Sequence, residues 1–379
     1  MIDHYPYLSD REKVLPTFPM VDETQIIPDN EFYYPFKLTK EEEDRAKSLL
    51  EESLIISFHE HPFIFPKDEK NNSEYFRSGR LFLGYEGMKR GGLKAVFAGI
   101  HYFCRVFEKN PEVGRVWNIN DLVYSLGMLS TDMSRRGDVI MARTSKEVIE
   151  AHKNEKIAIV PTTESIAGIL DDLDLLDVLY GLGLRGACLT YYNQNHIGGG
   201  EKDTGAQLTE YGEMVIRRMN DLGIMVDLSH TNKITTLKAI EVSRAPCVVS
   251  HCLSSTVSGV PTYKSDEEIV ALAKKGGIFG VKIAAPNLKK DKKPLTIEDA
   301  LDHIDYIVKL VGVEHVVIGP DTVFRGRGHV RGYENCTQFI NVIRGLISRG
   351  YSDREIKNIC GQNVVNVMSR IEEVARVYK

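Results

Sequence analysis

Leu54-Ile55-Ile56-Ser57-Phe58-His59-Glu60-His61 is an apolar run that closes on two histidines one residue apart. Alternate residues of a strand face the same way, so His59 and His61 are expected to point together from one strand end. Two imidazoles so placed can hold one metal ion, because neutral imidazole ligates zinc and its neighbours. A His-x-His pair also arises by chance, so its meaning depends on what stands at the ends of other strands.

Seven further short, β-branched runs read as strands, at residues 94–100, 156–164, 186–193, 224–230, 247–252, 277–285 and 315–322. Most alternate with helical patterns, as parallel βα units do. Eight such strands predict a (β/α)8 TIM-type barrel, which carries its chemistry at the C-terminal ends of its strands. Those ends hold His59 and His61 on the first strand, Glu164 on the third, His230 on the fifth, His251 on the sixth and Asp321 on the eighth. Six metal-competent side chains thus fall at equivalent places on five strands.

A chain of 379 residues, 42% hydrophobic and 27% charged, suits one soluble barrel with added segments. A net charge of −5 gives no reason to expect nucleic acid or an anionic membrane as partner. There is no apolar run of membrane-spanning length and no secretory signal at Met1-Ile2-Asp3-His4-Tyr5. The six cysteines are scattered, several within apolar runs, which predicts reduced buried thiols and a cytoplasmic location. None forms a Cys-x-x-Cys pair, which argues against a thiolate zinc site.

Residues 1–38, rich in Pro, Asp and aromatics, read as an N-terminal arm, and 39–379 as a single barrel domain ending in C-terminal helices. Thr39-Lys40-Glu41-Glu42 is a capping box opening a helix that leads into the first strand. Further helices are expected over 119–136, 209–222 and 296–311, after Thr144, from about Glu334 and from Ser352. The polar insertion 67–90 suits a lid or specificity wall at the catalytic face. Gly198-Gly199-Gly200 reads as a flexible loop, and His101 as a local hydrogen-bonding residue. His4, His152, His303 and His315 read as structural.

A carboxylate can bridge two cations while imidazoles complete each shell. Glu164 is the natural bridge, with His59 and His61 on one ion and His230 and His251 on the other. Two ions about 3.5–4 Å apart can share a hydroxide at neutral pH. Asp321 is placed to take the proton of that hydroxide and deliver it to a leaving nitrogen. The assembly suits hydrolysis of an amide, ester or lactone.

The residues from about 54 to 371 resemble the membrane (renal) dipeptidase family of the amidohydrolase superfamily. The likeness is carried by Leu208-Thr209-Glu210-Tyr211-Gly212 running through Met225-Val226-Asp227-Leu228-Ser229-His230. Ala245-Pro246-Cys247-Val248-Val249-Ser250-His251, Ile318-Gly319-Pro320-Asp321 and the tail motifs Arg349-Gly350-Tyr351-Ser352 and Gly361-Gln362-Asn363 add to it. The resemblance implies a barrel, a pair of divalent metal ions (zinc is the expected metal), hydrolysis of dipeptides and a homodimer. It places His59 as first ligand, Glu164 as bridge, His230 and His251 on the second ion and Asp321 as catalytic carboxylate.

Several positions depart from the family pattern. His61 stands where an Asp is usual, and an imidazole still ligates. Tyr191 stands where a His that stabilises the tetrahedral intermediate is usual, and a phenol can donate to an oxyanion. Asn193 and Asn195 are nearby alternatives, Asn193 also as a substrate contact. Thr262 and Tyr263 replace an Arg-Asn pair that holds the substrate carboxylate, so Lys264 or an arginine of the last loop (Arg325, Arg327 or Arg331) is the expected substitute. Val323 and Phe324 fill the place of a second Asp. These changes leave open a lactone or other ester hydrolase, or an inactive barrel that serves as a binding protein.

Overall fold

Eight strands buried on both faces set the architecture of the chain. The computed structural model describes residues 19–72, 75, 82–100, 119–203, 205–324 and 330–376. The strands are β1 (Ile56–Glu60), β2 (Ala95–Gly99), β3 (Ile157–Thr163), β4 (Gly186–Cys188), β5 (Met225–Asp227), β6 (Val248–Cys252), β7 (Ile278–Val281) and β8 (Val316–Ile318). They are parallel and follow one another round the sheet in chain order. Two backbone hydrogen bonds, from Asp321 N–H to His59 O (3.0 Å) and from His61 N–H to Thr322 O (3.1 Å), tie the end of β8 to the end of β1. The expected (β/α)8 barrel is the observed fold.

Alternation along the strands sorts the core into two layers. Ile56, Phe58, Phe97, Val160, Val248 and Val317 belong to one cluster, which Val364 and Met368 of the C-terminal helix Asn363–Val374 join. That helix lies at the strand entrances, where Asn363 donates to the carbonyls of Val313 and Val316. The other strand residues, among them Val96, Ile159, Val226, Phe279 and Ile318, pack against helices through Leu122, Val215, Ile216 and Ile304. Phe58 and Phe97 meet edge to face at 4.8 Å, and each ring's burial stabilises the barrel by about 2 kcal/mol.

The helices begin and end where their caps dictate. Thr39 and Glu42 form the expected capping box of Lys40–Glu52, Thr144 and Glu147 that of Ser145–Lys153, and Thr296 and Asp299 that of Ile297–Val311. Thr209 caps Glu210–Leu222, and Ser352 with Glu355 caps Asp353–Lys357. The helix expected from about Glu334 opens as a 3-10 turn, Cys336–Gln338, before Ile340–Ser348. Residues 19–38 lie against that helix, with Asn341 donating to Phe32 O and Arg344 to Tyr34 O.

The structure also departs from the expected elements. The fourth strand stops at Cys188 rather than running to Asn193, because the chain turns away into a loop. A strand at Val139–Met141 pairs alongside the first half of β3, off the ring. The insertion contains the helix Tyr85–Arg90 and the strand Phe82–Leu83, which pairs back onto Phe63–Ile64 just ahead of it. Val330–Arg331 pairs with Leu295–Thr296 where a loop was expected.

Candidate metal centre

The two strands that carry histidines within their span each contain one extra residue. Between β1 and β2, Ser57 pairs with Val96 but Glu60 with Ala98. Between β6 and β7, Val249 pairs with Phe279 but Cys252 with Val281. Each is a β-bulge, which re-aims side chains next to active sites. In β1 the inward side passes from Ile56 and Phe58 to His59 and His61, while Ser57 and Glu60 share the opposite side, 3.3 Å apart. In β6 the bulge falls at Ser250-His251, and the His59 and His251 rings stack at 3.8 Å.

All six proposed ligands come together. Glu164, the residue after β3, puts Oε1 3.0 Å from His59 Nε2 and 2.6 Å from His61 Nε2. Its Oε2 lies 3.8 Å from His230 Nε2, which is 3.0 Å from His251 Nε2. Asp321 Oδ1 is 3.3 Å from His61 Nε2 and 3.7 Å from His59 Nε2. The ligand atoms thus form two groups sharing Glu164: His59, His61, Glu164 and Asp321 in one, Glu164, His230 and His251 in the other.

The distal ring nitrogens have partners of their own. His61 Nδ1 lies 3.1 Å from Gly99 O, His251 Nδ1 2.9 Å from Ser250 Oγ, and His230 Nδ1 3.4 Å from the Glu201 carboxylate. A proton held on Nδ1 by the acceptors of His61 and His251 leaves the Nε2 lone pair for a metal, the usual outer arrangement of histidine ligands, while the Glu201 carboxylate faces His230 Nδ1 without completing a hydrogen bond. A side chain at Gly99 would meet His61 Cε1 at 2.7 Å and His59 Cε1 at 3.1 Å, so the absence of one lets the rings sit there. Asp227 accepts from Ser229 N–H, Ser229 Oγ and Ser250 N–H, locking the His230 turn to β6. Glu60 accepts from Thr322 N–H and Oγ, which fixes the residue after Asp321.

Charges in the centre are strongly perturbed. Burial opposes a charged imidazole at His61, yet the Glu164 and Asp321 carboxylates hold it up at about 10. Burial, then the neighbouring His59, drives His251 well below the ordinary histidine range. Burial pushes the Glu60 carboxyl up to about 8. Burial would raise Asp321, but the Lys282 ammonium and the surrounding histidines bring it well below the usual carboxylate value. Four inward Nε2 atoms around one buried carboxylate fit divalent cations, which would replace the protons these groups otherwise share.

The remaining candidates fall in different places. The half-buried Tyr191 ring lies 4.6 Å from that of His230 and 4.2 Å from Tyr192. Asn193 is exposed, and Asn195 serves its own loop, accepting from Ile197 and Gly198 N–H. Lys264, expected as a substrate contact, is buried with its ammonium on Thr231 O (2.6 Å), Thr236 Oγ (2.7 Å) and Glu268 (3.3 Å), so it braces the His230 turn. Arg331 is exposed, while Arg325, Arg327 and His101 lie outside the described residues. His303 is structural, bonded to Ser254 N–H and Leu288 O.

Sequence reasoning passed over Lys282 and Glu201. Lys282 follows β7 and pairs with Asp321 Oδ2. Its signal was a lone cation at the end of an apolar run. Glu201 follows the glycine triplet, which is no free loop: Gly200 bridges to Thr231, and Glu201 N–H donates to His230 O at 2.9 Å. A Cβ at Gly200 would lie 2.6 Å from Tyr192 O, so this close approach needs glycine.

A barrel with such a cluster at its strand ends fits a metal-dependent hydrolase. The chain belongs to the membrane dipeptidase family, whose model matches residues 43–379. It is 32% identical over 260 residues to Dipeptidase verJ of Clonostachys rogersoniana, a match covering 67% of this chain and 66% of that relative. An amidohydrolase structure from Pseudomonas aeruginosa is 26% identical, with a TM-score of 0.72 over 86% of this chain and 98% of the other. The fold is shared with the probable dipeptidase PvdM of the same organism, at 20% identity and a TM-score of 0.77 over 90% of this chain and 100% of that one.

Proposed function

We propose that this protein hydrolyses the amide bond of dipeptides with two divalent ions, zinc being the expected metal, held by His59, His61, Glu164, His230, His251 and Asp321. The observation that carries the proposal is the division of Glu164, with one oxygen toward His59 and His61 and the other toward His230. Such ions, when bound, acidify water and polarise a carbonyl. The chain's own residues do the rest.

Asp321 reaches the first group through Oδ1, which places it to take a proton there and pass it to the leaving nitrogen. Tyr191, against the His230 ring, is kept protonated by burial and serves as a hydrogen-bond donor to the developing oxyanion. Asn193 directly follows Tyr191 and Tyr192 and is exposed, which supports it as a substrate contact. Arg325 and Arg327, which follow β8 in the sequence, would supply a cation for a substrate carboxylate. Among the described residues five cysteines are free and buried, which supports a reducing, cytoplasmic setting, and the family resemblance supports a homodimer.

The test is a substrate panel on zinc-loaded protein: dipeptides, a tripeptide and lactones. Dipeptide turnover that a chelator abolishes and zinc restores is expected. A metal-loaded protein that opens lactones and leaves dipeptides untouched would contradict the proposal.

A further inference from the structure

Lys282 is the described basic side chain that pairs with a proposed ligand. It projects from the end of β7, between the strands that bring His251 and Asp321 to the mouth. Its partner, Asp321 Oδ2, is the oxygen turned away from the histidines, since Oδ1 faces His61 and His59. The lysine side chain keeps 21% of its surface exposed. An ammonium has three donors, and a single carboxylate oxygen does not exhaust them. Its charge is also felt at Tyr192 and Tyr263 on the adjoining loops.

We propose that Lys282 binds the carboxylate on the leaving half of the substrate, and so restricts the site to amides whose leaving amine carries a free α-carboxylate. The inference rests on the dipeptide reading above and names the residue that recognises the substrate's end. Covalent geometry supplies the reason. Asp321 must approach the leaving nitrogen to protonate it. In an α-amino acid the carboxylate oxygens lie only about 3 Å from that nitrogen. A cation seated on the far oxygen of Asp321 is therefore within reach of an α-carboxylate, and out of reach of one placed several bonds further away. Lys264 is committed to Thr231, Thr236 and Glu268. Lys202 sits one layer out, 4.8 Å over the Tyr192 ring.

The test measures binding and turnover separately in metal-loaded wild type, Lys282→Met and Lys282→Arg. The binding probes are a phosphinate analogue of alanyl-alanine and its C-terminal carboxamide. The turnover substrates are alanyl-alanine and its amide. Wild type should bind the free acid about 10–100-fold more tightly than the carboxamide, as for a hydrogen bond to a charged group. Lys282→Met should abolish that preference at unchanged metal content, chiefly through KM, and Lys282→Arg should keep most of it. A preference that survives in Lys282→Met, or an equal loss with both probes and both substrates, overturns the proposal. Failure of the dipeptide reading is seen separately, as wild type that binds the acid selectively but cleaves neither substrate.

Discussion

The backbone N–H of Asp321 donates to the carbonyl of His59 at 3.0 Å, so the proposed proton carrier and the first ligand are joined by the main chain that closes the barrel. Asp321 takes a left-handed conformation there, with φ 59°, which Asp and Asn adopt more readily than other side chains. Asp321→Asn therefore keeps backbone and shape while removing the proton acceptor. Turnover should fall by about 10²–10⁴-fold, with metal content nearly intact by elemental analysis. Unchanged kcat would remove Asp321 from the chemistry.

Gly99 marks how closely β2 approaches the first histidine pair. Gly99→Ala places a methyl group where His61 Cε1 and Nδ1 stand, at 2.7 and 2.9 Å. The imidazole must shift, and the Nδ1 contact with Gly99 O is strained with it. Occupancy of the ion held by His59 and His61 should drop while the other remains, which a titration of metal against a chromophoric chelator reads directly. Two tight sites in the variant would show that the rings have room to spare.

Glu201 faces His230 Nδ1 from outside the centre, its carboxylate 3.4 Å away. Removing its charge with Glu201→Gln should weaken the second ion by about 10–100-fold, the usual effect of losing an outer partner of a histidine ligand. Equal affinity for both ions in variant and wild type would show that the Lys264-braced turn alone positions the ring.

His303 gives a pH effect at some remove from the metals. Burial holds it down at about 4, below its ordinary value of 6.5, and its Nδ1 accepts from Ser254 N–H. The unfolded chain thus binds the extra proton between these values. The stabilisation is complete above about pH 6.5 and is lost as pH falls toward 4, up to about 3 kcal/mol. The thermal midpoint of wild type should decline over that window, and less steeply for His303→Gln. Parallel curves would assign the acid sensitivity to other groups.

Much of the barrel was legible because its strands are β-branched runs buried on both faces, with ionisable residues gathered toward their ends. His59, His61, Glu164, His230, His251 and Asp321 stood out for that reason. The bulges at Ser57–Glu60 and Val249–Cys252 did not, since a two-residue period contains no extra residue. Lys282 was hidden by the apolar stretch around it, and Glu201 by glycines that look like a loop until their pairing with Thr231 is seen. Lys264 has the composition of a substrate contact, and what makes it structural are partners 28 and 33 residues away in sequence. Long-range partners of that kind are set by the fold and have no local signature.

The most direct measurement is the number of metal ions per chain, by elemental analysis of zinc-reconstituted wild type and His230→Ala. The account predicts two ions in the wild type and one in the variant, with the His59 and His61 site retained. One ion in both proteins, or none in the wild type, would contradict a centre divided by the two oxygens of Glu164.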